Sequence, residues 1–117
     1  MLLQIRPEHV SALAEQQFSG FVLRMSEHLR DVFPDEVSGL DDAGLALFVE
    51  KVCAQAEVWE IVQEVHVERL VELFASFREL RSEPPSPWLA KIVSCPDYTG
   101  ERRLCLIEDR LLFAGDS

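Results

Sequence analysis

Residues 57–77 read EVWEIVQEVHVERLVELFASF, and the spacing of acidic and apolar side chains in this stretch decides the fold class. Glu57, Glu60, Glu64, Glu68 and Glu72 follow one another at intervals of three, four, four and four residues. At roughly 100° per residue, they stay within an arc of about 120° if the segment is one helix. Trp59, Val62, Leu70, Leu73 and Phe77 fall opposite, so one face is predicted as core and the other as an acidic ridge. His66 lies on the apolar face between Val62 and Leu70, and the residue three before it is Gln63, so no Glu-x-x-His metal motif forms. It is predicted as a partly buried packing histidine, with His9 and His28 at the surface.

Toward the N-terminus, Val10, Leu13, Ala14, Phe18, Phe21, Met25, Leu29 and Val32 repeat at helical steps. Pro7 and Glu8 suit the first turn of that helix, and Pro34 ends it near Asp31 to Phe33. Gly20 falls within the stripe and is read as tolerated there, with close packing of a second helix as one reason for it. Asp41 or Asp42 caps a second helix carrying Leu45, Phe48, Val49, Val52, Cys53 and Ala56. No glycine or proline separates it from the ridge segment, so a bend near Trp59 and one continuous helix both stay open. If the chain bends, Glu57 and Glu60 lose phase while Glu64, Glu68 and Glu72 keep theirs.

Toward the C-terminus, Ser82 to Pro87 holds three prolines and two serines and reads as a loop. Trp88 to Val93 is a short helix or an extended segment, and Cys95 to Gly100 is a turn. Leu104 to Phe113 is predicted as a last helix with Gly115 near its end, although Arg103 to Ile107 also permits a strand. The prediction is all-α: a single compact domain of four or five helices spanning 1–117. Phe18, Phe21, Met25, Leu29, Phe48, Val52, Leu70, Leu73, Phe74 and Phe77 are expected in one core.

Composition restricts function more than it defines it. The chain has 117 residues, 48% of them hydrophobic and 27% charged, which is ordinary for a folded protein. Its 21 acidic against 11 basic residues give a net charge of −10, which repels nucleic acid and anionic membranes. Between Asp35 and Glu68 the sole base is Lys51. Cys53, Cys95 and Cys105 are odd in number and lack a CxxC spacing, which disfavours a disulfide framework or zinc knuckle. With no visible signal peptide and no apolar run of membrane length, a cytoplasmic location is expected. No Walker loop, GxGxxG, GxSxG or HExxH occurs, so neither an enzyme nor a cofactor or metal is expected.

The candidate contact surface is the ridge itself: Glu57, Glu60, Glu64, Glu68 and Glu72, with Ile61 and Val65 as apolar neighbours and Val71 beside them. Glu68 and Glu72 are followed four residues on by Glu72 and Ser76, so few bases sit at the i+4 spacing that pairs a merely solvated stripe. A mixed acidic and apolar surface suits a protein contact.

Ile5-Arg6-Pro7-Glu8-His9, the Phe21-to-Met25 segment, His28-Leu29, Phe33-Pro34 and Pro84…Pro87-Trp88…Ile92 together resemble small helical proteins encoded beside type VI secretion effector and spike genes in Gram-negative bacteria. The chain departs from that pattern in two places. Trp59-Glu60-Ile61 stands where an aromatic-Gly-Ile break is expected, and Arg78 where a glycine is expected after Phe77. The resemblance brings no catalytic residues. It implies a non-enzymatic partner of a secreted toxin or effector, either an immunity protein or a loading adaptor. The acidity of the chain points to a basic surface on that partner and favours the immunity role. From a different class, a stand-alone regulator binding a basic protein segment fits the same acidity.

Overall fold

The computed structural model describes residues 12–113, and the side chains from Gln17 onward. The expected helix start at Pro7 and Glu8, the stripe positions Val10, Leu13 and Ala14, His9 and Gly115 lie outside this description. Five α-helices follow in order: α1 (Ala12–Val32), α2 (Asp42–Val58), α3 (Glu64–Ser76), α4 (Pro87–Ser94) and α5 (Gly100–Leu112). A 3-10 turn, Arg78–Arg81, lies between α3 and α4, and the described residues contain no strand. The fold is therefore all-α, as the apolar periodicity predicts.

Local chemistry explains most helix ends. α1 stops at Val32, two residues before Pro34, whose ring disfavours helical backbone at Phe33. Asp41 caps α2, its carboxylate accepting from the Gly44 amide at 2.7 Å. Pro87 occupies the first turn of α4, where a missing N–H costs nothing. Thr99 caps α5 by accepting from the Arg102 amide at 3.1 Å, so this helix begins before the predicted Leu104. The alternative strand at Arg103 to Ile107 does not form: Leu104 and Ile107 are buried at helical spacing.

The α2–α3 join bends, and the device is specific. Glu60 donates its amide to the Glu57 carbonyl at 3.0 Å, and Ile61 donates to the Ala56 carbonyl at 2.8 Å. This pair of bonds is the Schellman arrangement that closes many helices, and it needs a left-handed residue between cap and exit. Glu60 takes that role at φ 63°, a conformation glycine adopts more cheaply. The bend therefore forms without the glycine whose absence hides it in the sequence. After Phe77, by contrast, the chain leaves α3 in extended backbone (φ −120°), so nothing there requires a glycine in place of Arg78.

One contiguous core joins the elements. Phe21, Met25, Leu29, Val52, Leu70, Leu73 and Phe74 are buried as expected, and Phe18, Phe48 and Phe77 pack against them half-exposed. α1, α2 and α3 contact one another pairwise, while α5 packs on α3 and carries α4. Gly20 is not a close-approach site, because a Cβ there would meet nothing within 4 Å. Gly100 is one. A Cβ at that position would lie 1.9 Å from the Glu60 carbonyl oxygen and 2.9 Å from Ile61 Cα, so the start of α5 rests directly on the α2–α3 corner.

Arg103, one turn into α5, completes the corner. It is 6% exposed and donates to the Trp59 carbonyl at 2.8 Å and to the Cys95 carbonyl at 2.9 Å. Those residues are the C-caps of α2 and α4. One guanidinium thus satisfies the negative ends of two helices, where carbonyls lack intrahelical partners. Glu60 Oε1, 3.6 Å away, supplies the nearby counter-charge.

Candidate protein-contact surface

The bend divides the predicted ridge. Glu57 is exposed at the end of α2, and Glu60 projects from the corner with its side chain 73% exposed. Glu64, Glu68 and Glu72 keep a common face on α3, but that face meets α1 rather than open water. Arg24 of α1 donates to Glu64 and, at 2.9 Å, to Glu68. Hydrogen bonding to Glu64, then to Glu68, raises the Arg24 pKa above its ordinary value. His28 pairs with Glu72 at 2.7 Å, so it is a half-buried seam residue rather than the surface histidine expected. Arg69 joins Glu72 at 3.2 Å and Glu108 of α5, extending the seam to a third helix.

The apolar neighbours of the ridge also differ from expectation. Ile61, at 2% exposure, is core, and so is Val71. The corner shifts Ile61 out of helical phase with the ridge, and Val71, at helical spacing from the buried Val67 and Phe74, shares their inward face of α3. Val65 alone of the three is exposed. His66 is half-buried, consistent with packing. The seven residues singled out in the sequence are therefore not one surface: three carboxylates are engaged internally, one apolar residue is core, and Glu57, Glu60 and Val65 remain open at the corner.

A different acidic and apolar surface lies between α1 and α2. A groove of about 440 Å³ is lined by Phe18, Val22, Leu23 and Ala46, with Ser19, Ser26, Glu27, Arg30, Asp42 and Glu50 around them. Arg30 is spent on Asp42 at 3.0 Å and on the Leu40 carbonyl at 3.1 Å. Glu27 and Glu50 make no ion pair among the described residues, and Leu23 is 61% exposed. Helical geometry explains the placement. Asp42, Ala46 and Glu50, spaced by four, share one flank of α2, while Leu23 and Glu27 share the facing flank of α1. A search for one acidic stripe within one helix misses it, since each helix contributes only part.

The remaining chemistry is sparse. Among the described residues, no group of three or more His, Cys, Asp or Glu is placed to hold a metal ion, and no helix is long and apolar enough to cross a membrane. Cys53 is buried, and burial, with a smaller contribution from Glu50, pushes its thiol pKa up to about 12. Cys105 is exposed. No protein-family model, curated protein or solved structure matches the chain.

Proposed function

We propose that this protein is a non-catalytic binding partner of a secreted bacterial toxin or effector, engaging a basic surface through the acidic groove between α1 and α2. The observation that carries this reading is the division of the carboxylates. Those of α3 are already engaged by Arg24, His28 and Arg69, whereas Glu27 and Glu50 flank an apolar groove without an ion-pair partner among the described residues. Such a surface gains association rate from charge and residence time from apolar anchors such as Leu23. The net charge of −10 favours an immunity role against a basic nuclease-type toxin, because a loading adaptor needs no such bias.

Growth protection tests the role. Cells producing an effector encoded beside this gene should survive when the protein is co-produced if it is an immunity protein. Co-purification without protection would assign it to loading, and neither result would sink both. The surface is tested by association kinetics with that effector. Glu27→Lys/Glu50→Lys should slow association at low salt, with the difference shrinking as salt shortens the Debye length toward about 8 Å. Equal on-rates for wild type and this variant at low salt would remove the groove from the interface.

A further inference from the structure

The opposite flank of α2 carries a second groove, of about 460 Å³, with the reverse charge. Its floor is aromatic: Phe48, Trp59 and Phe74, the last two with ring centroids 6.1 Å apart. Lys51 stands on its α2 wall and Arg81 on the 3-10 turn, with the Arg81 guanidinium 5.8 Å from the centre of the Phe48 ring. Lys51 is the only base between Asp35 and Glu68, and neither it nor Arg81 makes an ion pair among the described residues. Arg24, Arg30, Arg69 and Arg103 are held by acids or carbonyls, whereas Lys51 and Arg81 line one aromatic-floored groove with their charges unpaired among the described residues, as those of Arg78, Lys91, Arg102 and Arg110 are elsewhere on the surface. Glu83 is the single acid in the lining.

We propose that this groove binds an extended peptide segment of a partner in which an aromatic side chain is flanked by carboxylates. The volume lies in the range of ligand sites that hold a few side chains, and an apolar floor with few convergent polar groups is the usual form of such a site. An aromatic ring would pack on the partly exposed Phe48 and on the open edges of Trp59 and Phe74, which are 7% and 8% exposed, in the offset or tilted arrangements that such rings prefer. Neighbouring carboxylates would meet the exposed Lys51 and Arg81 at the rim of the groove, where charge-assisted hydrogen bonds add selectivity for an acidic segment. This site is independent of the acidic groove and selects the opposite charge.

The test uses the folded protein and two blocked tetrapeptides, acetyl-Asp-Phe-Asp-Leu-amide and its Asn-for-Asp analogue, titrated to about 1 mM, a concentration that reveals even weak sites. Amide and indole resonances of Lys51, Gln55, Trp59 and Ser82 should shift and saturate with the acidic peptide. The uncharged analogue should bind at least about fivefold more weakly, in keeping with the weight of charged hydrogen bonds. Lys51→Gln/Arg81→Gln, both exposed and so compatible with folding, should abolish that preference, and Glu27→Gln/Glu50→Gln should leave it intact. Absence of shifts, shifts confined to other residues, or equal binding of both peptides would overturn the proposal. Concentration-dependent shifts at the groove without peptide would assign it to a second copy of the chain, and would overturn it too.

Discussion

Gly100→Ala and Gly20→Ala make the same chemical change at two helical glycines, and the structure gives them opposite signs. At Gly100 the added methyl would sit 1.9 Å from the Glu60 carbonyl oxygen and 2.5 Å from its carbon, atoms of the backbone that cannot rotate aside. Restoring ordinary contact of roughly 3.5 Å requires α5 to retreat by about 1.5 Å. That movement stretches the 2.8 Å bond from Arg103 to the Trp59 carbonyl. Overpacking costs about 1–3 kcal/mol and loss of a charged hydrogen bond about 1.5–3, so a destabilisation near 3–5 kcal/mol is expected. Gly20 is exposed in α1 with nothing within 4 Å of a Cβ, so alanine should stabilise by about 0.5–1 kcal/mol through helix propensity. Urea unfolding followed by circular dichroism reads both. Gly100→Ala within about 0.5 kcal/mol of wild type would refute the close approach of α5 to the corner, whatever Gly20→Ala does.

Replacing Arg103 by methionine should cost about 3–5 kcal/mol, because the Trp59 and Cys95 carbonyls lose their donor; lysine should recover little, since one ammonium does not reproduce the planar fork. Thermal unfolding of the pair checks this. Glu60→Gly should be more stable than Glu60→Ala by about 1 kcal/mol, since both lose the carboxylate near Arg103 and only glycine relieves the left-handed backbone, and equal unfolding midpoints of the two variants would contradict that account. Cys105 should react with a thiol reagent in the native state at pH 8 while Cys53, whose pKa is pushed up to about 12, reacts only on unfolding. As the folded thiol holds its proton to higher pH than the unfolded one, its contribution to stability is present below pH 9 and declines as pH rises toward 12. Glu64→Lys/Glu68→Lys should lower stability modestly, about 1 kcal/mol, by facing Arg24 with like charge on an exposed seam, an effect visible in unfolding without any partner.

Much of the architecture was legible because apolar residues at helical spacing leave few alternatives. Phe21, Met25 and Leu29 announce α1, Leu70 and Leu73 announce α3, and Asp41 and Pro34 mark ends with local chemistry. The α2–α3 break was not legible, since its stop signal is backbone geometry carried by a glutamate rather than by glycine. The start of α5 was hidden for a related reason: Thr99 caps it, but the apolar period becomes visible only at Leu104. The contact surface was harder still. Intrahelical spacing shows that Glu64 and Glu68 lack bases one turn away, yet their partner is Arg24, 40 and 44 residues distant and on another helix. The acidic groove likewise exists only once two helices are placed side by side.

The Arg103 bridge also bears on how the native state opens. Its carbonyl partners, Trp59 and Cys95, belong to segments far apart in the chain, yet neither can be released singly without leaving the guanidinium half-bonded in a buried site. Native proteins fluctuate in cooperative units of contiguous or mutually dependent structure. Here the unit is defined by a shared donor rather than by sequence: the end of α2, the end of α4 and the first turns of α5 should exchange their amide hydrogens together, slower than the tips of α1. The Ile61 amide, bonded at 2.8 Å inside the corner, would then report on α5, its spatial lid, more faithfully than on α3, its neighbour in sequence.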